Sequence, residues 1–294
     1  MSDFKNDQYE KLAIQWYPGH MTKARRDIGE NMKSVDAVCE LLDARIPRAS
    51  RNPDIDALAG DKPRLVILNR ADLADPAVTA RWRTWFREHG LATLETDARS
   101  GKGVKQFPQA VRSLLRDKIA ALEEKGQGSR PLRVMILGIP NVGKSTFINA
   151  VAGRRAAAAG DRPGVTRGKQ WISIDRGLLL LDTPGILWPR FESQEVGKAL
   201  ALTNAIRAEV LDQETLAANF LLRLRTLNPT ALEERYKFTP AEDKNGFELL
   251  EQAGRKRGFL ISGGEVDTER MARVLLNEYH EGKLGRISLE TPED

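Results

Sequence analysis

Apolar positions along the chain change rhythm near residue 193. Before that point, short aliphatic and β-branched runs at 35–43 (VDAVCELLD), 64–69 (RLVILN), about 91–96, 132–137 (LRVMIL), 171–174 and 178–182 read as buried strands. Segments of helical spacing separate them. Met21, Ala24, Ile28 and Met32 share one face, as do Trp82, Trp85 and Phe86 within Thr79–His89, and helices are expected over about 103–124 and 144–152. This alternation predicts an α/β fold with a mostly parallel sheet covered on both faces. The polar stretch EEKGQGSRP, around 124–131, has no period and reads as a linker. From Ser193 onward only helical patterns remain. Val196, Ala199, Leu200, Thr203, Ile206 and Val210 form one stripe, and Leu216, Phe220, Leu221 and Leu224 form another. A last helix is expected with Asp267 as its cap, Met271, Val274, Leu275 and Tyr279 inside, and Gly282 as its stop. Two domains follow: 1–192, α/β, and 193–294, small and all-helical.

Composition narrows this picture. With 41% hydrophobic residues the 294-residue chain can bury a core, which excludes disorder for its bulk. No apolar run approaches the 18 or so residues of a membrane span, and MSDFKNDQYEK lacks the apolar stretch of an export leader. The single cysteine, Cys39, excludes an internal disulfide and a multi-cysteine zinc site. A soluble, cytoplasmic protein without membrane contact is expected, and a monomer, since no apolar seam has coiled-coil spacing. The net charge of +5 is unevenly spread: residues 61–199 carry 24 basic and 14 acidic groups, while 200–294 carry 13 and 17. A polyanion would be drawn to the middle of the chain.

Chemistry concentrates in GIPNVGKST, Gly138–Thr146, which follows a strand and opens a helix. Glycines let successive backbone N–H groups turn inward around phosphate, and the helix N-terminus adds positive potential. Asn141, Val142, Gly143, Lys144, Ser145 and Thr146 are the candidate phosphate contacts, with Lys144 reaching the β- and γ-phosphates and Ser145 ligating Mg²⁺. LLLLDTPG supplies Asp182 for the metal shell and Gly185 for close approach of its N–H to the γ-phosphate. Thr166, in DRPGVTRGK between these elements, is a candidate second Mg²⁺ ligand. NRAD, Asn69-Arg70-Ala71-Asp72, ends another strand. A carboxylate at Asp72 matches the N1–H and exocyclic amine of guanine, whereas adenine would leave it unpaired. Asp97, Ala98 and Arg99 of TDARSGKGV would line the base pocket.

The order is unusual. GTPases of the common type run from phosphate loop through DxxG to NKxD, but here NRAD and TDAR come first. One fold can hold both orders only if the old termini are joined, and the 124–131 linker is where that join would fall. Ile186 stands where Ras-like proteins place the water-orienting glutamine, so hydrolysis is either negligible or uses another group. His89 and His280 end helices beside glycines, where an imidazole satisfies final carbonyls. His20, in QWYPGHM, precedes a helix and admits two readings, a packing role at the helix start or the positioning of water.

QWYPGHM, DARIP at Asp43–Pro47, GIPNVGKST, DTPGILWP, KRGFLISGG and KLGRISLE together closely resemble the circularly permuted bacterial GTPases called ribosome biogenesis GTPase A, over nearly the whole chain. The resemblance implies a circularly permuted P-loop GTPase domain, GTP and GDP as ligands, and a role in late assembly of the large (50S) ribosomal subunit, stimulated by that particle. It implies contacts with the subunit precursor, its rRNA and its ribosomal proteins. It makes His20 the expected catalytic residue and links Asn141 to a potassium ion, an amide capping the loop being the alternative. The helical domain resembles the family's RNA-contacting module. Its net charge does not support this, and Arg255-Lys256-Arg257 is its best phosphate-contacting cluster, or else a solvated turn. Arg154, Arg155, Arg162, Arg167 and Lys169 crowd the segment of Thr166 and are expected to touch rRNA. Arg70 replaces the family's lysine, and Asp97 stands where serine or threonine is common. A nucleotide-gated binding module with incidental hydrolysis is the competing expectation. A small-subunit GTPase of the same permutation would need an N-terminal barrel and a zinc tail, and NRAD disfavours ATP.

Overall fold

The computed structural model describes residues 20–154, 156, 170–188, 191, 193–206 and 212–293. Two compact units emerge among them, one comprising residues 20–188 with 290–293 and the other spanning 191–289.

The first unit is built on a six-stranded sheet. Its strands are β1 (Ala37–Asp43), β2 (Arg64–Asn69), β3 (Ala92–Glu95), β4 (Leu132–Leu137), β5 (Gln170–Asp175) and β6 (Leu178–Asp182), in the order β3-β2-β1-β4-β6-β5. All neighbours are parallel except the β5–β6 hairpin. The chain is mixed α/β with a mostly parallel sheet, as the alternation predicts. Every residue of β1 is buried, Glu40 and Asp43 included, which explains why the rest of its positions are apolar. Helix α1 (His20–Met32) and α2 (Asp54–Ala59) cover one face, where Ala24, Ile28, Met32 and Ile55 share a core with Val38, Met135, Leu137, Leu181 and Ile186. Helix α3 (Pro76–Glu88) starts at Asp75, whose carboxylate accepts the Ala77 and Val78 amides, and it buries Trp82 and Phe86 against Leu42, Val66 and Leu68. The helix expected over 103–124 is instead a 3₁₀ turn at Val104–Gln106, then α4 (Phe107–Leu114) and α5 (Arg116–Glu124). The break falls at buried Leu115, beyond which α5 buries no residue. An exposed connection then leads to β4, whose loop opens α6 (Lys144–Ala152).

Residues 290–293 return to this unit. The Glu290 carboxylate accepts the Arg48 amide (2.8 Å) and the Ala49 amide, and its carbonyl accepts Trp82 Nε1 at 3.2 Å. Arg48 also donates to the Pro292 carbonyl, and Arg81 pairs with Glu293.

The second unit is all-helical: α7 (Gln194–Leu202), α8 (Gln213–Leu227), α9 (Pro229–Tyr236), α10 (Gly246–Lys256) and α11 (Thr268–His280). Helix α8 lies at its centre, with Leu216, Phe220, Leu221 and Leu224 buried among Leu249, Leu250, Met271, Leu275 and Tyr279. Gly246 lets α10 meet α8, because a Cβ there would stand 2.4 Å from the Ala218 carbonyl. The apolar stripe through Thr203 and Ile206 outruns α7: the Thr203 hydroxyl bonds back to Ala199, and Asn204 takes a positive φ of 63°. Val210 lies outside the described residues. Asp267 caps α11 as expected. Buried Glu278 pairs with Arg235, Arg257 and the Tyr236 hydroxyl. Burial opposes its charge, yet these partners outweigh it and hold the carboxyl below its usual range.

Candidate functional site

The phosphate loop lies at the C-terminal end of β4, between β1 and β6. Gly138 passes so close to β1 that a Cβ there would stand 2.6 Å from the Leu41 carbonyl. Gly143, at φ 102°, faces the Asn69 amide, leaving 2.6 Å for a Cβ. Asn141 adopts the left-handed conformation without being glycine, at φ 56°. Lys144 is buried and donates to the carbonyls of Gly138 (3.0 Å) and Ile139 (2.9 Å). Burial pushes its ammonium down to about 8, against the pull of Asp182. A lysine so desolvated gains much from a bound anion.

Asp182 ends β6 and is buried, while Thr183 fastens the next turn to the Ile136 carbonyl at 2.6 Å. Gly185 lies against the phosphate loop, since a Cβ there would meet Pro140 Cα at 2.8 Å and Lys144 Nζ at 2.9 Å. Ile186 does not reach toward this loop with its side chain: it is buried in the core that includes Ala24, Ile28 and Met32 of α1. The Ser145 hydroxyl and the Asp182 carboxylate are hard oxygen donors, a set that suits Mg²⁺ shared with phosphate oxygens. Among the described residues no cluster of three His, Cys, Asp or Glu could hold a metal without such a ligand.

The NRAD segment is tied to the phosphate loop by two side chains. Asn69 Nδ2 donates to the Val142 carbonyl at 2.9 Å, and its Oδ1 accepts the Ala98 amide (3.1 Å) and the Thr96 hydroxyl. Arg70, at φ 59°, donates through Nη2 to the Asn141 carbonyl at 2.6 Å. Asp72 is exposed; partial desolvation and the neighbouring Asp97 charge raise its carboxyl above the usual range. Asp97 itself accepts the Arg99 (2.9 Å) and Ser100 (3.2 Å) amides. Those bonds, with the Ser100 side chain, overcome its desolvation and hold it below the usual range, so it shapes the turn that presents Ala98.

The structure thus gathers Asn69, Arg70, Ala98, Asn141, Val142, Gly143, Lys144 and Gly185 around one loop, with Ala71, Asp72, Ser145, Thr146 and Asp182 carried on the same short segments. His20 begins α1, but its side chain lies outside the described residues, as do Thr166, Arg155, Arg162, Arg167 and Lys169. Arg154 is exposed. Arg255, Lys256 and Arg257 are exposed on the second unit, Arg255 paired with Glu251 and Arg257 with Glu278.

Sequence reasoning gave no role to a charged network beneath the base-recognition segment. Arg45 is completely buried and bonds Asp43 through Nε (2.9 Å) and Nη2 (2.8 Å), with its amide on the same carboxylate. Arg70 Nη1 lies 3.7 Å from Asp43. Burial opposes the Asp43 charge, but Arg45 and Arg70 hold the carboxyl low. The signal was an Asp-x-Arg closing a fully buried strand, where neither charge belongs without the other.

A phosphate loop, a DxxG turn and an asparagine–aspartate segment on a sheet whose first three strands precede the phosphate loop define a GTPase with circularly permuted strand order. The family model described as "50S ribosome-binding GTPase" matches residues 133–235. The chain is 44% identical to ribosome biogenesis GTPase A of Bacillus cereus over 96% of this chain and 95% of that one. It is 34% identical to the Thermotoga maritima protein of that name, over 96% and 95% respectively. A mouse protein called mitochondrial ribosome-associated GTPase 1 is 34% identical over 95% of this chain and 90% of its own. Among solved structures, GDP-bound YlqF matches with a TM-score of 0.66 at 30% identity, covering 92% of this chain and all of that one. The GNP-bound form from T. maritima gives 0.63 at the same identity, over 92% of this chain and 99% of its own. The chain belongs to the ribosome biogenesis GTPase A family, and is a GTPase acting in ribosome biogenesis.

Proposed function

We propose that the protein assists assembly of the large ribosomal subunit and that the immature particle stimulates its GTP hydrolysis. The observation that carries the nucleotide part is the pair of bonds from Asn69 and Arg70 to the Val142 and Asn141 carbonyls, which couple a guanine-reading segment to a phosphate loop. In this reading Asn69, Arg70, Ala71, Asp72, Asp97 and Ala98 form the base pocket. Asn141 to Thr146 and Gly185 bind phosphate, and Ser145, Thr166 and Asp182 hold Mg²⁺. When bound, Mg²⁺ neutralises phosphate charge and orients the β- and γ-oxygens. The Asn141 side chain serves a potassium ion. The exposed Arg255-Lys256-Arg257 cluster favours rRNA as one partner of the helical unit, with ribosomal proteins beside it. The protein works as a cytoplasmic monomer.

Hydrolysis needs a group to orient water, and Ile186 cannot supply it, being aliphatic and buried. His20, the first residue of α1, takes that task, since histidine is a side chain able to position water near neutral pH. The test is GTP turnover by wild type and His20→Ala, with and without purified large subunits, in potassium buffer. Strong stimulation of wild type, and a variant that binds GTP but stays unstimulated, is the expected result. Equal turnover by both would make His20 structural and favour a nucleotide-gated binding module, which the buried Ile186 also suits.

A further inference from the structure

The connection between β1 and α2 carries a buried polar side chain that the nucleotide site does not use. Asn52 is only 1% exposed. Its Oδ1 accepts the Asp54 amide at the start of α2 (3.0 Å), and its Nδ2 donates to the Ile186 carbonyl at 3.3 Å. Ile186 follows Gly185 directly, and its own amide donates to the Gly138 carbonyl of the phosphate loop at 3.3 Å. Its peptide groups are therefore fixed at both ends, one to the phosphate loop and the other to Asn52. Its side chain sits in the core shared by Ala24, Ile28 and Met32 of α1 and Ile55 of α2. A buried carbonyl requires a donor, and an amide side chain offers an acceptor to one segment and a donor to another.

We propose that Asn52 is a positioning residue for GTP hydrolysis. It fixes the backbone of Ile186, and through it both the stance of Gly185 and the seating of the helix that begins with His20. The inference rests on reading Gly185 as the γ-phosphate contact. GDP has no γ-phosphate, so losing the Asn52 donor acts on turnover and spares GDP affinity.

Two variants separate this role from general stability. Asn52→Asp keeps the acceptor for Asp54 but sets an oxygen against the Ile186 carbonyl, and Asn52→Ser retains a small cap too short to reach that carbonyl. GDP affinity, the KM for GTP and kcat are measured for both beside wild type, with Gly185→Ala as a control. Both variants are expected to lose about 10- to 100-fold in kcat, the cost of a small misplacement at the reacting group. GDP affinity is expected to stay within about twofold. The Asn52→Asp defect should shrink as pH falls toward about 5, because a protonated carboxyl can donate again. Wild-type kcat in both variants, while Gly185→Ala is impaired, would overturn the role of Asn52 alone. Unimpaired Gly185→Ala would instead overturn the reading of the γ-phosphate contact. Loss of GDP binding in parallel with kcat in both variants would also overturn the proposal, as a plain loss of structure.

Discussion

Replacing Arg45 by methionine should unfold the sheet unit far more readily than its size change suggests. The Arg45 side chain is fully buried, and its guanidinium makes two of the hydrogen bonds to Asp43, itself buried. Methionine can fill much of the volume, so little cavity term arises, but the Asp43 carboxylate loses both guanidinium bonds and is left with the backbone amide of residue 45 and Arg70 at 3.7 Å. Removing one member of a buried pair costs about 3–5 kcal/mol, because the remaining charge loses its compensation. At a urea dependence of about 2–3 kcal/mol per molar, the unfolding midpoint falls by about 1–2 M. The sign with pH is also fixed. In wild type Asp43 is held below its unfolded value, so its stabilisation is present above that value and is lost as pH falls through the folded one. In the variant, burial without Arg45 pushes the carboxyl up, and the penalty grows as pH rises and shrinks toward about pH 4. Urea unfolding followed by far-ultraviolet circular dichroism at pH 7.5 and near pH 4.5 reads both effects. A loss under about 1 kcal/mol, or a loss independent of pH, would refute the argument that the pair is a charge-compensated unit.

Two further outcomes are expected. Asp72→Asn should weaken GDP binding by about 100-fold and favour xanthosine diphosphate, whose base offers an acceptor where guanine has its amine; competition binding with both nucleotides tests this, and unchanged preference would exclude Asp72 from base recognition. In the helical unit, Glu278→Gln removes the charge that Arg235, Arg257 and the Tyr236 hydroxyl converge on, and should cost about 2–4 kcal/mol at pH 7. That difference should narrow in acid, as the wild-type carboxylate is protonated below its depressed value, and thermal melts across pH check it.

Where one face or both faces of an element are buried by local design, the pattern is legible. Strands β1, β2, β4 and β6 read as mostly apolar runs because helices cover the sheet, and the cap at Asp267 announces α11. The phosphate loop is legible for a different reason: its backbone demands glycines at fixed spacing. Other features depend on partners far along the chain. Nothing near Asn52 indicates that its amide meets Ile186, 134 residues away, and Asn69 finds Val142 across 73. The break at Leu115 is hidden because apolar spacing continues through it. Helix α10 did leave a local trace, the reciprocal Asn245–Glu248 capping box, which the apolar stripes alone do not weigh. Helix α7 ends early because a threonine hydroxyl and a left-handed asparagine compete with the period.

The return of residues 290–293 to the sheet unit gives synthesis a distinct last act. The loop they pin, around Arg48, leaves the translating ribosome early, while Glu290 follows 242 residues later. At elongation rates of about 5–20 residues per second, that loop spends on the order of ten seconds or more without its clasp. The sheet can pair and the phosphate loop can form during that interval, yet the turn after β1 gains the two carboxylate bonds only when the helical unit has been translated in full. One of the first-made turns of the nucleotide-binding half is thus fastened late, and a chain lacking residues 290–293 would keep the phosphate loop, DTPG and NRAD without the fastening on that turn.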